Sequence, residues 1–395
     1  MNILYVSPFS HGVNVSPILD IAHLVANEGH DVHFYTVKTP YIEFNGNKSL
    51  KMAEIPGNVR MHYIKNRYLI PSVAYSFINP VTEYRDLKRI VKENNIDLVH
   101  FNFPEHLICL PLLKKSGLGV PTVLSINGVT GYDWFYGNRF IDFVGKIYFK
   151  HIASRAIRNA DAVITPSSKS EKTLTSMGLN PNLTTLSQYG GCYGIDTELF
   201  KPFSCEKKAE LRSKYHLPED AFIITYAGRF VPVKRIDLLI RSFNTLKNRL
   251  KNAYLLLVGD GPEKPNLQRL ARENPNIQFL NFLNQKLLSE LYGASDMFVL
   301  LSSGEGNAVG VMEACSSALP SLVSDAGATS NIVKDGRNGF VTDPHEEEII
   351  DNILKINQNH DELSKGARNI ALEKFSWDSI VKNHIELYKN LISGE

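Results

Sequence analysis

The sequence predicts an α/β fold of two doubly wound, Rossmann-like domains facing each other across a cleft, and three observations predict it. The chain's 395 residues exceed what one ordinary hydrophobic core serves, and 43% apolar with 21% charged residues is a globular proportion. Short apolar runs rich in β-branched residues alternate with longer amphipathic stretches, the pattern of buried parallel strands joined by helices. That alternation runs through once, breaks, and starts again.

The first run contains "NILYVS", "DVHFYTV", "DLVHFNF", "PTVLSI" and "DAVITPS"; the second contains "FIITYAGR", "AYLLLVGDG", "IQFLNF", "MFVLLSS" and "PSLVSD". Between them "GGCYGIDTELFKPFSCEKK" is rich in Gly and turn residues and has no clear period, so the boundary falls there. This gives one domain over 1–195, a second over 196–375, and a closing segment over 376–395. After the strand "GFVTD", helical spacing continues, and "SWDSIVKNHIELYKNLI" opens with a Ser/Asp start signal. Periodicity leaves two placements open for this last helix: across onto the first domain, or on its own.

Bulk properties exclude several classes. Lys and Arg number 43 against 41 Asp and Glu, a formal charge of +2, so net charge gives no reason to expect a nucleic-acid partner. Cys109, Cys192, Cys205 and Cys315 are scattered without ligand spacing, favouring neither a disulfide framework nor zinc. "MNILYVSPF" lacks a basic segment before a long apolar core, and no run of about 18 apolar residues is free of charge. A cytoplasmic location is the expectation.

Two turns in the second half carry the chemistry. In "LLSSGEGNAVGVMEACSSALP" the turn joins a strand to a helix at a strand carboxyl end, which is where open α/β sheets hold ligands. Free amides at the helix start attract anions, and a carboxylate beside them accepts from hydroxyls. Glu305 in the turn and Glu313 in the helix then address different parts of one elongated ligand carrying both phosphate and sugar; otherwise both are solvated charges flanking a tight turn. In "FIITYAGRFVPVKRIDLLIRSF", Arg229, Lys234 and Arg235 gather at another strand end of the same domain. A departing phosphate needs its growing charge neutralised by a divalent metal or by fixed Arg/Lys donors. There is no Asp-x-Asp pair and no Gly-x4-Gly-Lys-Ser/Thr loop, so a cation-based site without metal is the simpler reading.

The blocks "YAGRFVPVKRIDLLIRSF", "LLLVGDGPEKPNLQRLA", "IQFLNFLNQKLLSELYGASDMFVLLSSGEGNAVGVMEA" and "IVKDGRNGFVTDP" resemble the retaining family 4 glycosyltransferases of the GT-B fold. The resemblance spans essentially the whole chain and is strongest over 185–345, where the Gly-Arg-x4-Lys and Glu-x7-Glu elements stand in family order. It implies a UDP- or GDP-sugar donor held mainly by the second domain and a saccharide or glycolipid acceptor held mainly by the first, with no cofactor and no metal. By position, Arg229 and Lys234, following Gly228, would grip the donor diphosphate. Glu305 would meet the donor sugar and Glu313 the ribose. Gly306, Asn307, Ala308 and Val309 would face sugar or phosphate, and Gly12 in the first loop would close over the phosphates. Arg229, Lys234 and Glu305 are the expected catalytic set, and His11, Asn127, Asp133 and Trp134 the expected acceptor contacts.

The chain departs from the family pattern at four places. Val13 follows Gly12 where relatives carry a second glycine. Asn127 stands where they carry His, and an Asn cannot take up a proton. Asn331 stands where Glu is frequent, and Ala308 where Gly or Pro is frequent. Asn127, Asn331 and Val13 keep open a catalytically silent sugar-nucleotide-binding protein; a GT-B epimerase or phosphorylase is a separate alternative, for which no acid–base pair and no pyridoxal-phosphate lysine context is identified.

Three other features have competing readings. His100, with Asn102 and His106, either faces the cleft or is structural. "GDG" at 259–261 lacks the third glycine of a dinucleotide fingerprint and reads as a turn. Over 138–158, Arg139, Lys146 and Lys150 share a helical face, and Ile141, Val144, Tyr148 and Ile152 form an opposing stripe expected to meet the core. With Phe140, Phe143 and Phe149 nearby, the basic face is either simply solvated or a peripheral membrane contact.

Overall fold

The computed structural model describes residues 1–7, 17–36, 57–64, 67–69, 76–78, 80–102, 117–126, 128–129, 131–132, 139–179, 183–185 and 194–394. The chain divides into two compact units, Met1–Gly194 together with Ile380–Glu395, and Ile195–Ser379.

The strands of unit 1 are β1 (Asn2–Val6), β2 (Asp31–Thr36), β3 (Val59–Tyr63), the antiparallel pair β4 (Arg67–Leu69) and β5 (Ser76–Ile78), β6 (Leu98–Asn102), β7 (Thr122–Ser125), β8 (Ala162–Thr165) and β9 (Leu183–Thr185). Seven of them form one parallel sheet in the order β3-β2-β1-β6-β7-β8-β9. The five apolar runs of the first half are β1, β2, β6, β7 and β8. They read as continuous hydrophobic runs because helices cover both faces of such a sheet. Strand β3, "VRMHY", escapes that criterion: it is an edge strand with a single fully buried residue, so half its side chains are polar.

Unit 2 carries β10 (Phe222–Ala227), β11 (Ala253–Val258), β12 (Ile277–Leu280), β13 (Met297–Leu300), β14 (Ser321–Ser324) and β15 (Gly339–Thr342), all parallel, in the order β12-β11-β10-β13-β14-β15. Counted within the unit this is 3-2-1-4-5-6, the doubly wound arrangement whose direction of winding reverses between its first and fourth strands. The reversal falls between β10 and β13, so the loops leaving these two strands diverge and open a crevice.

The helix Trp377–Ser393 begins on a Ser376 cap, whose hydroxyl accepts from the Ser379 amide at 3.2 Å. From Ile380 onward it belongs to unit 1. Its Tyr388 reaches the sheet: the Tyr388 hydroxyl lies 2.6 Å from His100 Nδ1 and 3.1 Å from the Tyr5 hydroxyl. His100 Nε2 lies 2.7 Å from the Ser125 hydroxyl, and His384 stacks on His100. All five side chains are buried. His100 is therefore structural, a polar tie between the centre of the sheet and the last helix, and its hydrogen bonds offset the cost of burying it.

The helix Arg139–Tyr148 overturns one expectation. Val144 is 48% exposed and not a core residue, and Tyr148 and Ile152 are only half-buried. Phe149, grouped above with the surface aromatics, is buried in the core of unit 1. The π turn Phe149–Ala153 explains the discrepancy, since its extra residue per turn rotates the faces of the segments on either side.

Two outcomes follow from the buried tie. Tyr388→Phe removes the hydroxyl shared by His100 and Tyr5 and is expected to lower the unfolding free energy by about 1–3 kcal/mol, read by urea denaturation. Burial holds His100 well below its ordinary basicity and takes His384 down to about 4. Because the folded values lie below the unfolded one near 6.5, this stability is complete above about pH 6.5 and is lost as pH falls toward 4. The melting temperature is expected to drop between about pH 6.5 and 5, and to drop less in His384→Phe.

Candidate active site

At the winding reversal of unit 2, the β10 strand runs into Gly228 and Arg229, then the short 3-10 helix Pro232–Lys234. The β13 strand runs into Ser302, Ser303 and the Glu305 turn. The two turns are locked together: the Ser303 amide donates to the Val233 carbonyl at 2.8 Å, and Lys234 Nζ forms an ion pair with Glu305 Oε1. The Ser302 hydroxyl donates to the same carboxylate oxygen at 2.5 Å. Lys234 and Glu305 are 17% and 10% exposed, shielded enough to interact strongly yet open at one side.

Arg229 points to solvent and makes no ion pair among the described residues. Its carbonyl accepts from the Tyr226 hydroxyl at 3.0 Å, which fixes the turn beneath the guanidinium. Burial, and then the Glu305 charge, raise the Tyr226 pKa, so this hydroxyl stays a donor. The "GDG" turn supports the same place. The Phe230 amide donates to the Asp260 carbonyl at 2.8 Å, and a side chain at Gly259 would run into the Gly228 carbonyl. These glycines let the β10 and β11 turns pack backbone to backbone.

The helix Val309–Ser316 begins at Ala308, whose φ of +48° lies in the left-handed region, and it has no side-chain cap. Its leading amides are therefore available to a ligand in the presence of the helix dipole. Asn307 and Glu313 are buried beside this start. Burial raises the Glu313 carboxyl to about 8, and no other influence is resolved on it. The Tyr292 hydroxyl nearby is buried without a hydrogen-bond partner among the described residues, and burial, followed by the Glu313 charge, raises its pKa. Glu313 in the empty protein therefore holds its proton to higher pH than an exposed carboxyl does.

Thus Gly228, Arg229, Lys234, Glu305, Gly306, Asn307, Ala308, Val309 and Glu313 all lie on the two turns or the helix that follows them. Gly12, His11, Asn127, Asp133 and Trp134 lie outside the described residues, as does His106. Sequence reasoning missed Ser302, Tyr292 and Gly327. Gly327, at φ +60°, presses on the Glu305 backbone, and a side chain there would collide with the Glu305 carbonyl. The segment "DAGATSNIV" carried the signal, because a lone Gly after a strand marks close backbone approach. Asn331 sits half-buried in the short helix Thr329–Ile332 just beyond it.

Two family models match the chain: "Glycosyl transferases group 1" over 207–372 and "Glycosyltransferase Family 4" over 15–187. The chain belongs to the group 1/family 4 glycosyltransferases. It is 23% identical to N-acetyl-alpha-D-glucosaminyl L-malate synthase of Bacillus anthracis, over 95% of this chain and 93% of the relative. It is 27% identical to the GDP-mannose-dependent alpha-mannosyltransferase of Mycobacterium tuberculosis, over 85% and 80%. Among solved structures, HepE of Anabaena in complex with UDP superposes with a TM-score of 0.72 at 19% identity, covering 99% of this chain and 100% of that one. Sucrose-phosphate synthase from Thermosynechococcus elongatus gives 0.72 at 18%, covering 100% of each. The fold of this glycosyltransferase is accordingly GT-B.

The packing at Gly327 and the state of Glu313 each generate an outcome. Gly327→Ala is expected to cost about 1–3 kcal/mol in unfolding free energy and to displace Glu305, lowering turnover more than its stability loss alone accounts for. If Glu313 binds a ligand hydroxyl as the carboxylate, binding must release its proton. Nucleotide affinity, measured by calorimetry, is then expected to rise with pH up to about 8 and to lose that dependence in Glu313→Gln.

Proposed function

We propose that this glycosyltransferase transfers a sugar from a UDP- or GDP-sugar to a hydroxyl of a saccharide or glycolipid, with retention at the anomeric carbon and without a metal ion. The observation that carries the reading is the Lys234–Glu305 ion pair at the winding reversal, with Arg229, exposed and without an ion pair among the described residues, beside it and the buried Glu313 carboxyl on the following helix.

The pair is suited to exchange partners. In the empty protein Glu305 neutralises Lys234. A donor diphosphate brings negative charge to Lys234 and Arg229, and its sugar brings hydroxyls to Glu305, so each member of the pair gains a partner as it loses the other. Glu313 then takes the ribose hydroxyls, and the amides at Asn307, Ala308 and Val309 face sugar or phosphate. As the bond from the anomeric carbon to the diphosphate oxygen breaks, charge grows on that oxygen, where two fixed cations are worth most. The acceptor hydroxyl attacks from the same face, and its proton passes to the departing phosphate oxygen. On this route no protein base is required, which accommodates Asn127 in place of a histidine.

The positive charge is assigned to Lys234, paired with Glu305 at the winding reversal, and to the exposed Arg229 on the same turn. The acceptor is assigned to unit 1, with His11, Asn127, Asp133 and Trp134 as its contacts. Residues 138–158 are taken as a peripheral contact with the cytoplasmic face of a membrane. No described helix is long and apolar enough to cross one.

Nucleotide release from UDP- and GDP-sugars tests the reading. Arg229→Ala removes an exposed side chain and is expected to leave the melting temperature unchanged while lowering turnover roughly a hundredfold or more. Lys234→Ala should lose at least as much, and EDTA should change nothing. Nucleotide binding without release from any common donor would favour a silent binding protein.

A further inference from the structure

In the helix Arg139–Tyr148, Phe140, Phe143, Val144 and Ile147 are 75%, 61%, 48% and 47% exposed. Their spacing of three, four and seven residues places them in one row along the helix. Scattered exposed apolar residues are ordinary, but a continuous row with two phenylalanines is not. The next segments hold the helix firmly: Phe149, Ala153, Ala156 and Ile157, in the π turn and the helix Ser154–Asn159, are buried in the core of unit 1. The row is thus displayed by an anchored element.

Charge accompanies the row. Residues 139–159 contain five Lys or Arg and a single acid, Asp142. Lys146, Lys150, Arg155 and Arg158 are exposed, and Lys146 lies 4.6 Å from the centre of the Tyr132 ring. On the segments that follow this helix, Lys150, Ser154 and Arg158 line a cavity of about 310 Å³ together with Tyr132 and Met177. Neither Lys150 nor Arg158 forms an ion pair among the described residues. Two cations on one small cavity, with no ion pair among the described residues, suit an anion, and an apolar row on the preceding helix suits hydrocarbon.

We propose that this face is a lipid-docking surface, in which Phe143, Val144 and Ile147 enter the acyl boundary of a bilayer while Lys150 and Arg158 hold the phosphate of an anionic phospholipid headgroup in the cavity. The combination favours a lipid over a protein partner because cations flank the apolar row, where the stems of Lys and Arg reach the headgroup level as the row inserts. The inference builds on the membrane contact proposed above. It stands on unit 1 alone, so it fails or holds separately from the donor chemistry.

Flotation of the full chain with phosphatidylcholine vesicles, with and without phosphatidylglycerol, tests it without any donor present. The intact protein should float with the anionic vesicles at low salt and less so as salt rises. Phe143→Ser combined with Ile147→Ser should weaken this binding roughly tenfold or more. Lys150→Glu combined with Arg158→Glu should abolish the preference for phosphatidylglycerol. Both variants alter exposed side chains and should keep the parent melting temperature and nucleotide release. In Phe143→Trp, emission should shift to the blue on adding vesicles. Protein that stays unbound, binding indifferent to the Lys150 and Arg158 reversals, or an unshifted Trp would overturn the proposal. Phe143-dependent self-association without vesicle binding would assign the face to a second copy of the chain. Saturation by inorganic phosphate alone would assign the cavity to a soluble anion.

Discussion

The ion pair between Lys234 and Glu305 is the contact on which the candidate site depends. It joins turns from two strands, β10 and β13, that are neighbours in the sheet, through residues that are 71 apart in the chain. A doubly wound sheet must reverse its winding somewhere, and the crevice it leaves there cannot be filled by the connecting helices. A cation and a carboxylate meeting at that place are neither a surface pair, which would contribute little, nor a sealed core pair, whose desolvation would be hard to recover. Their partial burial lies between those two cases.

Much of the surrounding architecture holds these two turns still. Serines 302 and 303 tie the Glu305 loop to its own carboxylate and to the Lys234 turn. Glycines 259 and 261 bring the β11 turn against the Arg229 turn, and Gly327 brings the β14 turn against Glu305. Ala308 holds a left-handed conformation that costs a residue with a side chain about 1–2 kcal/mol, a cost borne where the helix amides must face outward. Stability is spent on position, as sites that rely on fixed charge require.

The parallel strands were legible in the sequence because a strand buried on both faces must be apolar throughout, and so was the placement of the candidate cations and carboxylates, which follow such strands at their carboxyl ends. What escaped was governed by contacts that no local pattern records. Strand β3 is half polar because it lies at an edge. His100 is structural because Tyr388, nearly three hundred residues later, meets it. The helix Arg139–Tyr148 shows the limit of periodicity most clearly: spacing identifies a stripe but not which stripe meets the core, and the π turn after it changes the register. The protonation of Glu313 depends on burial, which the Glu-x7-Glu spacing does not encode.

A crystal structure of the chain with a bound nucleoside diphosphate sugar tests the central claim most directly. The account predicts the diphosphate within hydrogen-bonding distance of Arg229 and Lys234, the Lys234–Glu305 pair opened, and Glu305 turned to the sugar hydroxyls. A diphosphate bound away from both cations, with Lys234 still paired to Glu305, would contradict it.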